Sequence, residues 1–169
     1  MKRVLLYFIL ILFCCFIPNF CSAENLVLKT GISLDEMVPD VFFGAWRIKS
    51  NLLETNSEEY FRKDSVDLWN ISKHNGVITL DNPFSGARAS ISLKEVCGNK
   101  VVFEKKNSYN NQELIDIVEL YIDKNSFYGY NYLKLITVSD IDGRILESKE
   151  AKYSLNGDKI SGDNVFVEE

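Results

Sequence analysis

The chain has 169 residues, of which 46% are hydrophobic and 12% aromatic, so it is long enough for one domain with a real core but too short for two comfortable ones. Its 24 acidic and 19 basic residues give a net charge of −5 at pH 7. This acidic balance argues against nucleic-acid binding and against electrostatic docking on anionic membranes, because both partners carry negative charge.

Residues 1–23 predict a cleavable secretory signal peptide. Lys2 and Arg3 supply a short positive start, and the following run over residues 4–17 is apolar and free of charge. Small residues, Cys21 and Ala23, then occupy the −3 and −1 positions of a cleavage site. This layout is typical of secretory signals, whose apolar segment is short for a membrane span.

The predicted signal determines the expected location of the protein. Cleavage after Ala23 would remove Lys2 and Arg3, so the mature chain would carry a net charge of −7. We expect an exported protein, periplasmic or extracellular, with no stable membrane insertion after cleavage. The alternative is an uncleaved anchor, because Phe16, Ile17 and Phe20 lengthen the apolar stretch.

Residues 24–43 read as a lead-in segment with one short helical turn. Ser33 is a helix N-cap residue followed by acidic residues, and Pro39 stops the helix after about one turn. From Ala45 onward apolar residues recur at every second position, which predicts strands. Predicted strands cover residues 45–52, 66–72, 77–80, 89–93, 101–105, 114–122, 127–138, 145–155 and 159–161.

Short turns connect most of these strands. Asn75-Gly76, Asp142-Gly143 and Asn156-Gly157 are hairpin dipeptides, and residues 54–63 form the longest predicted loop. Eight or nine consecutive strands favour an all-β, antiparallel up-and-down meander closed into a barrel, since closure removes exposed sheet edges. We therefore predict a single β-barrel domain over residues 44–169.

The segment Gly44-Ala45-Trp46 resembles the G-x-W motif with which lipocalins and the wider calycin group open their first strand after a short helical turn. The resemblance implies an eight-stranded barrel with Trp46 packed across its closed end. It also implies an apolar ligand that enters at the other end, under a lid formed by the loop after the first strand. Residues 54–63 stand at that place in this chain.

Catalytic and metal-binding chemistry is not indicated. His74 is the single histidine and lies in a predicted Asn-Gly turn, so a zinc site or a Ser-His-Asp triad would lack most of its members. The sequence also contains no glycine-rich phosphate loop and no nucleophile elbow. We expect no catalytic residues, no bound metal, no cofactor and no enzymatic activity.

The sequence pattern does not decide whether the carboxylate of Asp116 faces the barrel interior or the solvent. It shares one face of its strand with Leu114, Val118, Leu120 and Ile122. If this face points inward, Asp116 is buried and must be paired or hydrogen-bonded, which often marks a site. If the opposite face points inward, Asp116 is an ordinary surface carboxylate.

Tyr128, Tyr130 and Tyr132 form a ladder at every second position of one strand. Such a ladder could line a cavity, present hydroxyl groups to a ligand, or stack on a sugar face. The alternative is a cross-strand aromatic cluster that stabilises the sheet.

These features predict non-catalytic binding of a small, largely apolar ligand inside the barrel. The candidate ligand-binding residues are Trp46, Ile48, Asp116, Tyr128, Tyr130 and Tyr132. The alternative is a filled barrel that acts through its surface, as an envelope structural or protein-interaction module. An occupied interior together with an exposed tyrosine ladder would favour this alternative.

Overall fold

The computed structural model describes residues 33–162. The predicted signal peptide, residues 24–32 of the lead-in and residues 163–169 lie outside the described residues, so signal cleavage and location stay predictions. A short helix, α1 (Leu34–Met37), and a 3₁₀ turn (Asp40–Phe42) come first. Nine strands follow: β1 (Gly44–Thr55), β2 (Asp64–His74), β3 (Val77–Asn82), β4 (Ala87–Ser90), β5 (Ser92–Cys97), β6 (Lys100–Tyr109), β7 (Gln112–Asp123), β8 (Ser126–Val138) and β9 (Ile145–Ser161).

The strands form one antiparallel sheet in the order β4-β3-β2-β1-β9-β8-β7-β6-β5, curled into a nearly closed barrel. The first and last strands among residues 33–162 are neighbours, since β1 lies between β2 and β9. The two ends of the sheet are β4 and β5. Helix α1 packs against β5, and its Asp35 is paired with Lys73 of β2 at 2.8 Å. The predicted all-β meander with a short helical turn is therefore confirmed.

One predicted turn is wrong. Asn156-Gly157 does not form a hairpin, because β9 continues through it to Ser161. Gly157 is paired with Ile48 on one side and with Phe127 on the other. A Cβ atom at residue 157 would lie 2.3 Å from the Phe127 ring, so this glycine makes room for an aromatic side chain. By contrast, the Asn75-Gly76 turn is confirmed, with φ of 50° and 77°.

Aromatic and aliphatic side chains fill the interior near the start of β1. Trp46 and Ile48 are 0% exposed. The Trp46 ring centroid lies 5.1 Å from that of Phe127. The ring centroid of Trp69, from β2, lies 6.4 Å from those of both Phe127 and Phe103. The Trp46 indole N–H donates to the backbone oxygen of Phe42 at 2.9 Å, which fixes the 3₁₀ turn against this end of the barrel.

The loop after β1 covers inward-facing residues far from Trp46 along β9. The Tyr153 hydroxyl donates to the backbone oxygen of Arg62 at 3.0 Å, and Phe61 packs against the core. Lys149, which is also buried, holds its ammonium 3.4 Å from the centroid of the Tyr60 ring. The loop is therefore packed onto the barrel through several side chains.

Candidate functional site

The six candidate residues lie on two opposite faces of the barrel wall. Trp46, Ile48 and Asp116 point inward and are buried, whereas Tyr128, Tyr130 and Tyr132 are 57%, 37% and 39% exposed. The expectation that the tyrosine ladder lines a cavity together with Trp46 and Ile48 is wrong. The alternate residues of β8 take the inward positions, because Phe127 fits above Gly157 and a Cβ at Gly129 would lie 1.9 Å from the Glu119 backbone oxygen.

The exposed tyrosines form a cluster with Tyr121 of β7, which we call the outer tyrosine face (Tyr121, Tyr128, Tyr130, Tyr132). Tyr121 and Tyr128 are stacked with ring centroids 5.1 Å apart, and Tyr130 and Tyr132 lie 6.5 Å apart. The Tyr121 hydroxyl donates to Glu119 at 2.6 Å. This hydrogen bond, together with partial burial, raises the pKa of Tyr121 to about 12, so that hydroxyl remains a donor across the physiological range.

An outer groove of about 820 Å³ lies beside the tyrosine face and crosses β1, β9, β8, β7 and β6. Ile115, Ile117 and Tyr132 supply its outward-facing apolar side chains, and Leu133 and Ala151 also line it. Its charged side chains are three glutamates and three lysines: Glu54, Glu104, Glu150, Lys106, Lys134 and Lys152.

Strand register explains how these side chains come together on the outside of the barrel. One cross-strand row runs Glu54, Lys152, Tyr132, Ile117, Glu104. A second row, two residues further along each strand, contains Glu150, Lys134, Ile115 and Lys106. Directly opposite residues share a face of the sheet, so both rows face away from the filled interior.

The groove carries equal numbers of positive and negative side chains, but not all of them form ion pairs. Lys134 and Glu150 form an ion pair at 2.8 Å, and Lys106 lies 3.5 Å from Glu104. The hydrogen bond from Lys134 lowers the pKa of Glu150. Among residues 33–162, Glu54 and Lys152 have no ion-pair partner; the Lys152 ammonium lies instead 5.0 Å from the Tyr130 ring centroid and 5.5 Å from that of Tyr132.

Three inward-facing polar residues form what we call the interior polar cluster: Lys105 is directly opposite Asp116 in the sheet, and Asn131 is opposite Val118, two residues along β7 from Asp116. Asp116 is 7% exposed, which settles that its face points inward. Its Oδ2 atom is 2.6 Å from the Lys105 ammonium, which also lies 5.5 Å from the centroid of the Trp69 ring. Within the described chain, Oδ1 of Asp116 and Oδ1 of Asn131 are buried without a hydrogen-bond partner. The cluster is an ion pair with two spare acceptors.

The sequence analysis did not identify the residues that complete the outer groove and the interior polar cluster. Lys105 and Asn131 were not singled out, although each lies at an inward position of its strand. Nor were Glu54 and Lys152, which become neighbours only because β1 pairs with β9. That pairing joins residues about a hundred positions apart and has no local signal.

Two further properties bear on the chemistry. In the part of the chain that the structure describes, no group of three His, Cys, Asp or Glu side chains could hold a metal ion. Over residues 33–162, no helix is both long enough and apolar enough to cross a membrane.

The protein is thus a nine-stranded antiparallel β-barrel, nearly closed and compatible with a calycin-like fold. Comparisons with models of protein families, with curated proteins and with solved structures gave no significant match.

Proposed function

We propose that this protein is a non-catalytic interaction module that binds a partner protein through the outer groove and the outer tyrosine face. One observation carries the proposal: the tyrosine ladder is exposed on the outside of the barrel, next to a groove, while buried aromatic side chains occupy the inward positions near Trp46. Tyrosine is enriched at protein interfaces because it combines a large apolar ring with a hydrogen-bonding hydroxyl.

The groove defines the chemistry of the partner. Ile115, Ile117 and Tyr132 offer an apolar surface, which suits an apolar side chain. Glu54 suits a basic group of a partner and Lys152 an acidic one, because neither forms an ion pair among the described residues. A surface with three lysines and three glutamates has no net attraction for a polyanion, so a protein with side chains of both charges fits better.

The sequence-based prediction of a small apolar ligand inside the barrel has less support. Trp46 and Ile48 belong to a contiguous core with Phe42, Phe103 and Phe127, and side chains in such cores interdigitate with few voids. An apolar ligand at these two residues would have to displace core side chains.

The proposal is tested by a photo-crosslinking amino acid introduced separately at Tyr128, at Tyr132 and at Phe84. Phe84 is 80% exposed in the turn between β3 and β4, far from β8 in the sheet, and is the matched control. We expect a discrete crosslinked product in the host cell from positions 128 and 132 but not from 84. The product should be lost when Lys152→Glu is added. Equal products from all three positions, or none from 128 and 132, would contradict the proposal.

A second candidate function, small-molecule binding inside the barrel, is favoured by the two spare acceptors of the interior polar cluster. Buried acceptors ordinarily have a donor, so a small, largely apolar ligand carrying one hydroxyl or amide N–H would fit this chemistry. Native mass spectrometry of the purified protein is expected to show an adduct that is lost on denaturation and in the double variant Lys105→Met/Asp116→Leu, which removes the polar groups without leaving a buried charge unpaired. An unmodified native mass would overturn this candidate.

A further inference from the structure

We propose that the part of the partner that occupies the outer groove is an amphipathic α-helix of about 13 residues that lies across the strands. This inference rests on the proposed function, because it takes the groove to be the binding surface. It follows from the size of the groove, from the groups that line it, and from the order of its charged and apolar side chains.

The groove has the size of one half of a helix. It crosses the five strands β1, β9, β8, β7 and β6, which at a spacing of about 4.8 Å span about 19 Å. A helix with its side chains is about 10 Å across, and half of such a cylinder over this length fills about 750 Å³. The groove volume is about 820 Å³. A helix laid across the strands would therefore fill the groove and leave its opposite side in solvent.

The lining of the groove favours a helix over an extended segment. The backbone groups of these strands pair with neighbouring strands within the sheet, so the face of the sheet offers mainly side chains to an occupant. An extended segment across the strands would hold its own backbone amides over Ile115, Ile117 and Tyr132, where a buried amide without a partner is costly. A helix forms its backbone hydrogen bonds internally and brings only side chains to this surface.

The spacing of the strands matches the spacing of residues along one face of a helix. A step of about 4.8 Å from strand to strand corresponds to about 3.2 helical residues. Positions i, i+3, i+7 and i+10 share one helix face, and they would stand over β1, β9, β8 and β7 in turn. The last two positions meet Tyr132 on β8 and the pair Ile115 and Ile117 on β7. We expect large aliphatic side chains at i+7 and i+10.

Charge complementarity defines the other two positions. Glu54 is directly opposite Lys152, yet the Lys152 ammonium lies 5.5 Å from the centroid of the Tyr132 ring, and neither residue forms an ion pair within residues 33–162. At the far end of the groove Glu104 lies 3.5 Å from Lys106. The charges open to a partner are therefore at the β1 and β9 end. We expect a basic residue at position i, over Glu54, and an acidic one at i+3, over Lys152.

The test uses a synthetic, alanine-based helical peptide of about 16 residues. It carries lysine at its second position, glutamate at its fifth, and leucine at its ninth and twelfth. Fluorescence anisotropy of the labelled peptide measures binding to the purified protein, and the small contact predicts a Kd of about 10–500 μM. The same peptide with proline at its tenth position cannot form a continuous helix and should bind about ten-fold more weakly or not at all.

Exchanging the charges tests where the helix lies. A peptide with glutamate at its second position and lysine at its fifth should bind the native protein about ten-fold more weakly, because each charge then meets a like charge. The double variant Glu54→Lys/Lys152→Glu should reverse this preference and bind the exchanged peptide more tightly than the original one. Thermal melts establish that the variant is folded.

Arg47→Asp/Asp158→Arg is the matched control. Arg47 is directly opposite Asp158 on the same two strands and pairs with it at 2.9 Å, but it stands seven residues, about 23 Å, from Glu54. This exchange of charges outside the groove should leave the native preference unchanged. If both double variants reverse the preference, or if Glu54→Lys/Lys152→Glu leaves it unchanged, the placement of the helix is overturned.

The crosslinking experiment separates failure of this inference from failure of the proposed function. Loss of the crosslinked product at position 132, when a cell lysate is supplied with excess helical peptide but not with the proline peptide, supports the helix. A crosslinked product at positions 128 and 132, with the helical peptide binding no better than the proline peptide, overturns the helix and leaves the groove as the binding surface for a segment of another shape. No crosslinked product and no bound peptide would overturn both.

Discussion

Replacing Trp46 with alanine is expected to lower the free energy of unfolding by about 3–5 kcal/mol, the usual cost of removing a fully buried large aromatic side chain. The indole is inaccessible to solvent and packs against Phe127. The substitution also removes the donor to the Phe42 backbone oxygen, which leaves a buried acceptor unpaired. For a domain of this size we expect the melting temperature to fall by about 10–20 °C.

Urea unfolding followed by circular dichroism measures this effect, and Tyr128→Ala is the control. Tyr128 is mostly exposed and contacts Tyr121, so its truncation should cost no more than about 1 kcal/mol. Equal costs for the two substitutions would show that Trp46 does not anchor the 3₁₀ turn to the barrel core.

The second large effect is expected at the interior polar cluster. Asp116→Leu should destabilise the fold by about 3–5 kcal/mol, because it leaves the Lys105 ammonium inside the barrel without its carboxylate. Lys105 retains only 15% side-chain exposure, so water cannot readily replace the lost partner. The double variant Lys105→Met/Asp116→Leu should recover most of the loss, since apolar side chains of similar volume often replace a buried pair at no cost.

The exposed pair Arg47–Asp158 provides the comparison. Its side chains are 55% and 59% exposed, and breaking such a surface pair costs about 0–1 kcal/mol. Asp158→Leu should therefore be nearly neutral under the same urea titration. If Asp116→Leu is no more destabilising than Asp158→Leu, or if the double variant is worse than Asp116→Leu alone, the interior pair is solvated rather than buried.

The fold was predictable because its signals are local. Alternation of apolar residues marked the strands, and dipeptides such as Asn75-Gly76 marked the hairpins. The failure at Asn156-Gly157 has a non-local cause. That glycine is required by the ring of Phe127, thirty positions earlier, rather than by a turn, and the local sequence carries no sign of this requirement.

The candidate site was only partly predictable, since alternation gives two faces without saying which is buried. On β8 the ladder with more aromatic residues faces outward, because Phe127 and Gly129 fit the neighbouring strands better. On β7 both faces were similarly apolar, so only the structure decides that Asp116 is inside. The groove depends further on the register between β1 and β9, which shifts between Leu52 and Glu54.

The pairing of β1 with β9 also determines when the edge of β1 becomes paired as the chain is synthesised. Residues 45–55 acquire their second neighbour only from residues 151–161, which are synthesised about a hundred residues later. Until β9 arrives, β1 and β8 both carry an unpaired edge, a template on which other chains can add strands. Contacts so distant in sequence slow folding to milliseconds or seconds in all-β domains. A nascent chain truncated before residue 151 should therefore be prone to aggregate, however well its hairpins form.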